Sequence, residues 1–233
     1  MQKIIITDLT RFQNDAIFCT AGIDELSGEC IRPMPYLKAA DCRRLEILPG
    51  SILTGEFSVP SGLVGPHLED RTYKNLTLIG SSTSEDFRAA LRRGVQVSVQ
   101  MGFNVKLADR QKFVPIGNAT SRSIITLSVD PKTIEVVEDV YKPGKVKMHF
   151  VDSDGVMFRF MPITDLGFHQ YAQSHRATRD LQRLNDFIRQ QPEVLLRVGL
   201  ARQWNNGSQD GYWMQINGIY TFPEFVKELR SHR

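Results

Sequence analysis

Two tryptophans and two arginines crowd the stretch LLRVGLARQWNNGSQDGYWMQINGIYTFPEF near the carboxy terminus. Arg197 and Arg202 can pair with phosphate or lie flat on a base, and Trp204 can stack on one. Trp204 opens a polar, glycine-containing run, WNNGSQDG, that reads as a flexible hairpin loop. In the strand that follows, alternation puts Trp213, Gln215 and Asn217 on one face and Tyr212, Met214 and Ile216 on the other. The second face suits a barrel interior. The first joins a ring to two amides, which can stack a base and bond its edge. The plainer alternative puts Trp213 beneath a carboxy-terminal helix, its indole N–H on a backbone carbonyl.

A second constellation is HLED, with His67, Glu69 and Asp70. A histidine beside two carboxylates can hold a metal or exchange protons. Three ligands without a second motif favour a hydrogen-bonded loop that pins a barrel. Arg32, before Pro33 in CIRP, either pairs with Glu69 or Asp70 or faces a ligand. Cys19, Cys30 and Cys42 match no common zinc spacing, and an odd count argues against a disulfide scaffold. No metal and no cofactor is expected. Phosphate-binding glycine loops and the usual hydrolase and metalloprotease motifs are missing, which lowers the case for an enzyme.

The elements that must position these residues are mostly strands. KIIIT, AIFCTAGI and ECIRPM precede a short helix-compatible run, LKAADCRRL, and then SILTGEFSV and YKNLTLI. The order recurs later: TIEVVEDV, KVKMHFVD and VMFRFMPI, a long helical region, then EVLLRVGLA and YWMQINGI. Leu181, Leu184, Phe187 and Ile188 carry the helical spacing, with Thr178 as N-cap. Arg176, Arg179, Arg183 and Arg189 line its polar side, interleaved with Asp180 and Asp186 as a solvated face. In TFPEFVKELR, Thr221, Pro223 and Glu224 suggest a capped final helix. Residues 80–130 hold a capped helix, STSEDFRAALRRG, and a strand, RSIITLSV, read as a bridge.

Three strands, a helix and two strands, seen twice, is the order of two tandem oligonucleotide- and oligosaccharide-binding (OB) five-stranded barrels. The fold class is therefore mainly β with helices. The expected units are residues 1–117, a barrel with a connecting helix, and 118–233, a barrel with the long helix and a final helix. The chain has 233 residues, 41% of them apolar, and a formal net charge of +3. That supplies core for two small barrels but no strongly basic nucleic-acid arm. No apolar stretch is long enough for a bilayer or a signal segment, so a cytoplasmic location without membrane contact is expected.

GECIRPMP, GPHLEDR, LLRVGLARQW and GYWMQINGIYTFPEF resemble the motifs of prokaryotic dual-OB-domain proteins. The resemblance runs from the first strand to the last helix. It implies two adjacent OB barrels and nucleic-acid binding, as an accessory component of a defence system, and supplies no catalytic residue. The combined expectation is a tandem-OB protein that binds nucleic acid, single-stranded DNA or RNA, through Arg32, Arg197, Arg202, Trp204, Trp213 and Gln215. The alternative is a protein-interaction module whose aromatic loop grips a partner protein. An enzyme built on His67, Glu69 and Asp70 ranks third.

Overall fold

The computed structural model describes residues 1–118 and 120–226. Strands β1 (Gln2–Arg11), β2 (Ile17–Asp24) and β3 (Cys30–Met34) come first. They are followed by β4 (Leu37–Lys38), α1 (Ala39–Arg44), β5 (Ser51–Ser58) and β6 (Asp70–Ser81). β1 pairs antiparallel with both β2 and β5, β5 with β6, and β3 with β2, while β3 and β6 run parallel. Five strands thereby close into a barrel, and the short β4 pairs antiparallel with the start of β2. Its interior is Ile4, Ile6, Leu9, Phe18, Ile31 and Leu53, and Ala39 and Cys42 of α1 pack against them.

The run KIIIT does not alternate, and residues Ile4–Thr10 of β1 are buried without interruption. A continuous apolar run is the signature of a strand covered on both sides. One side of β1 faces the barrel interior. The other, with Ile5, meets Phe87, Leu195, Tyr220 and Phe222 from later in the chain.

Four elements lead to the second set of strands: α2 (Ser84–Arg92), β7 (Val95–Gln96), α3 (Val99–Phe103) and β8 (Phe113–Pro115). Thr83 caps α2, its hydroxyl accepting from the Asp86 amide. Then follow β9 (Ile124–Val129), β10 (Glu135–Glu138), β11 (Val146–Val151) and β12 (Met157–Pro162). The chain ends with α4 (Leu166–Ala177), α5 (Leu181–Gln190), β13 (Glu193–Leu200), β14 (Trp204–Asn205) and β15 (Asp210–Phe222). β9 pairs with β13 and β10 with β11, so the two act as halves of one strand broken by a 3₁₀ turn at Pro131–Thr133. β12 follows β11, β15 pairs with β13, and a bridge from Ile163 to Ile216 brings β12 to β15. The pairing order matches that of the first barrel. Its core joins Leu127, Val136, Met148, Phe150, Leu196, Val198, Met214 and Ile216. Gly199 of β13 lies against the buried Asn217 amide across the ladder, where a Cβ would displace it.

Four expectations are corrected. RSIITLSV does not bridge two units; as β9 it is the first half of a barrel strand. The long helical region is two helices, broken at Arg179, which takes a left-handed φ of 58°. Thr178 is not an N-cap but closes α4, its hydroxyl donating to the Ser174 and His175 carbonyls. Asp180 holds the N-cap position of α5. Thr221 is also no N-cap: it lies inside β15 and donates its hydroxyl to the Glu224 carbonyl. The rest of the expected final helix, 227–230, lies outside the described residues.

Candidate functional site

The HLED cluster is interior. Long and unpaired with any strand, the segment between β5 and β6 lies against the second set of strands. His67 accepts burial at 6% exposure and donates Nε2–H to the Leu200 carbonyl of β13 at 3.2 Å, which fixes the neutral tautomer. Burial, then the charges of Arg202 and Arg32, pushes its pKa down to about 4. Glu69 accepts from the Ser123 amide and hydroxyl and the Ile124 amide at the start of β9. Asp70 meets Arg32 Nε at 2.6 Å and Arg202 at 2.8 Å. The loop thus pins one barrel to the other strands. Among the described residues, no three His, Cys, Asp or Glu side chains gather in a way that could hold a metal ion.

Arg32 and Arg197 were expected at a ligand face, and the structure places both in the interior. Arg32 is 4% exposed and spent on Asp70. Arg197 is 2% exposed; Nε and Nη2 both reach Asp8 of β1, and Nη1 donates to Thr126. A charge withdrawn from water must find a counter-charge, and here each found one inside the chain. A cleft of about 370 Å³ opens beside Arg197, lined also by Glu69, Arg71 and Arg122. Its walls are largely self-satisfied, since Arg71 holds Glu29 and Glu69 holds Ser123.

The outer side of β11 and β12 is different. Burial alternates along β11, leaving Lys147, His149 and Val151 outward. A bulge sets His149 opposite both Arg159 and Phe160 of β12. Phe160 takes a φ of 53°, a region that bulky residues avoid at a cost of about 1–3 kcal/mol. Its ring meets His149 at 4.6 Å and Tyr141, 79% exposed in the β10–β11 loop, at 5.6 Å. Burial, together with Lys112, Lys145 and Lys142, lowers the pKa of Lys147, against the raising effect of Asp139. Lys142, Lys145 and Lys147 belong to the turn and strand that carry Tyr141 and His149.

Contacts continue from there to the opening tryptophans. Lys112 donates Nζ–H to the Arg159 carbonyl at 3.1 Å. Its neighbour Phe113, on β8, stacks on Trp213 of β15 with centroids 5.0 Å apart and planes 27° apart. Trp213 donates its indole N–H to the Trp204 carbonyl at 3.1 Å, and the two indoles meet edge to face at 5.7 Å. The expected carbonyl partner is present, and the ring that covers Trp213 is Phe113. Gln215, half-buried, follows two residues along the strand, whereas Asn217 is buried and accepts from the Thr164 hydroxyl. Trp204 is 59% exposed and sits in a two-residue strand, β14, paired with β15. Arg202 then reaches the first barrel: it donates to the Tyr36 hydroxyl at 3.0 Å and lies over that ring at 5.8 Å. Tyr36 in turn packs on Phe12 at 4.8 Å.

The structure thus brings together Arg202, Trp204, Trp213 and Gln215 and leaves Arg32 and Arg197 apart from them. Sequence reasoning missed Lys112, Phe113, Tyr141, His149, Arg159 and Phe160. The turn YKPGK carried a signal, a tyrosine among lysines. Phe160 carried none, because the bulge breaks the alternation by which an outward side chain is recognised. In OB barrels the face of the second and third strands, with the loops after the first and fourth, holds oligomeric ligands. Those parts here are β11 and β12, the Tyr141 loop and the Trp204 loop.

No helix among the described residues is long and apolar enough to cross a membrane. No curated protein matches the chain. Among solved structures, the chain is similar to a murine DNA-binding protein bound with double-stranded DNA, at 7% identity and a TM-score of 0.27, covering 93% of this chain and 97% of that one. The model of the "Dual OB-containing domain" matches residues 3–219, and the pairing order of the strands agrees with it, so the chain belongs to that family.

Proposed function

We propose that this protein binds single-stranded nucleic acid along the contact chain from Tyr141 and Phe160 to Trp204. The observation that carries the reading is this band of rings with lysines between them, on the strand face and loops that OB barrels use. Each ring offers an apolar face on which a base can stack, and stacking needs bases free of a duplex. Lys112 and Lys142 supply phosphate contacts, while the net charge of +3 keeps the non-specific component small. The Phe160 backbone fits the same reading, since strain is retained where a site holds it in place.

The corresponding loop of the first barrel, between β5 and β6, is committed to Ser123 and Leu200. Binding is therefore assigned to the second barrel, with Arg202, Tyr36 and Phe12 as its extension. Fluorescence anisotropy with labelled single-stranded DNA, single-stranded RNA and duplex DNA tests the proposal. The expected result is tighter binding of single strands, weakened about 5- to 150-fold by Trp204→Ala, as one stacked base requires. Absence of binding to all three, or equal binding by the variant, overturns it.

A further inference from the structure

A different group of side chains lies where the two sets of strands meet, beyond the ring band. β1 ends at Arg11, whose amide donates to the Thr164 carbonyl at 2.9 Å. Thr10 bridges Asp165, the residue that caps α4. His169 occupies the first turn of that helix, its amide bonded to the Asp165 carbonyl at 2.9 Å. The junction therefore sets a first-barrel arginine next to a helix of the second half.

Two polar atoms in this junction are enclosed and unpartnered among the described residues: Arg11 Nε and His169 Nδ1. Enclosed polar atoms are rarely left so, and each calls for an explanation. Arg11 also forms no ion pair with any described residue; Asp15 is the carboxylate that raises its pKa, against burial that lowers it. Burial, then the charges of Arg11, Lys145 and Lys147, lowers the pKa of His169 to about 4. Its imidazole is accordingly neutral near pH 7, and one tautomer offers Nδ1–H as a donor. Lys147 is shared with Asp139 at 3.7 Å, and Lys145 is exposed. Gln173, one turn after His169, donates its amide to the Gly144 carbonyl at 3.1 Å, so the Lys145 end of β11 joins the two unpartnered donors, with Asp15 facing Arg11 and Asp139 holding Lys147.

We infer that Arg11, His169, Lys145 and Lys147 form a seat for a phosphate oxyanion at the junction of the two barrels. A guanidinium and an N–H donor suit the oxygens of a tetrahedral anion, and lysines add charge without demanding direction. The source of that phosphate is a backbone phosphodiester of the bound strand, which rests on the function proposed above. Arg11 adjoins Phe12, so a strand crossing this seat runs from the rings of β12 towards the Phe12–Tyr36 pair.

Two variants test the seat, Arg11→Gln, which keeps the backbone bond to Thr164, and the exposed Lys145→Gln. Each is checked for an unchanged melting temperature, and the two are read independently in case one fails to fold. Binding of oligothymidylate is measured across salt concentrations for the parent, both variants and Trp204→Ala. Each seat variant is expected to lose about tenfold in affinity, with a salt slope shallower by about one. Trp204→Ala is expected to lose affinity with its slope kept. Full affinity and slope in a folded seat variant overturn the seat while leaving the ring band standing. If the parent binds no oligonucleotide, the proposed function fails and the seat is decided by inorganic pyrophosphate alone. Perturbation of the His169 imidazole resonances by pyrophosphate, abolished in Arg11→Gln, then supports a seat for free phosphate; unperturbed resonances overturn it.

Discussion

Arg197 and Asp8, far apart in sequence on β13 and β1, form an ion pair at 2.8 Å with side chains 2% and 1% exposed. The pair is the centre of a polar seam between the two barrels that also includes Glu69 with Ser123 and His67 with Leu200. Tyr220 adds a hydroxyl bond to the Thr7 carbonyl. The seam explains why two residues of site-like chemistry, Arg32 and Arg197, face inward.

Removing one partner of that pair leaves a buried charge without compensation. Arg197→Met is expected to destabilise the protein by about 3–5 kcal/mol, read by urea denaturation. The double variant with Asp8→Asn should recover part of that loss, because the stranded charge is gone. A double variant as unstable as the two single losses summed would show that the two residues do not act as a pair.

His67 gives the seam a pH dependence. Its pKa in the folded protein, about 4, lies below the ordinary 6.5, so its contribution is complete above pH 6.5 and is lost as pH falls towards 4. Between pH 7 and pH 5 that amounts to about 1–2 kcal/mol. Asp165 acts in the opposite direction: burial raises its pKa to about 7, against amide bonds from Phe168 and Ile219. The difference between the parent and His67→Gln isolates the histidine. Gln keeps a donor for Leu200 and does not titrate, so denaturation at the two pH values should show a smaller acid loss in the variant.

Trp204 and Ile216 should separate binding from folding. Trp204→Ala is expected to change stability by no more than about 0.5 kcal/mol, since the ring is largely exposed and the carbonyl that holds Trp213 is main chain. Ile216 is fully buried, and Ile216→Ala should cost about 2–5 kcal/mol through lost burial and a cavity. Melting curves of the two variants check the contrast.

Phe160→Asn tests whether strain is kept for binding. Asn tolerates a positive φ better than Phe, so relief of about 1 kcal/mol or more offsets the lost ring contacts. The melting temperature should hold or rise while single-strand affinity falls about tenfold, the worth of one stacked base. A marked drop in stability would make Phe160 a packing residue.

The sequence by itself determined the strand order of the first barrel, the second set of strands, and the core positions Met214 and Ile216 of β15, while Asn217, read on the opposite face, is buried as well. Those features follow from local patterning: KIIIT and EVLLRVGLA are rich in β-forming apolar residues, and TIEVVEDV and KVKMHFVD alternate. It also marked Arg202 and Trp204, whose polar, glycine-containing surroundings announce an exposed loop. Only the tertiary structure decided the fates of Arg32 and Arg197, because a charge is interior or exposed according to whether a distant partner arrives, and Asp8 lies a whole barrel away. The same holds for Phe113, Phe160 and Tyr141, which become one band through pairings between strands remote in the chain. The break between α4 and α5 was hidden because no glycine or proline marks it, and the turn depends on the left-handed backbone of Arg179.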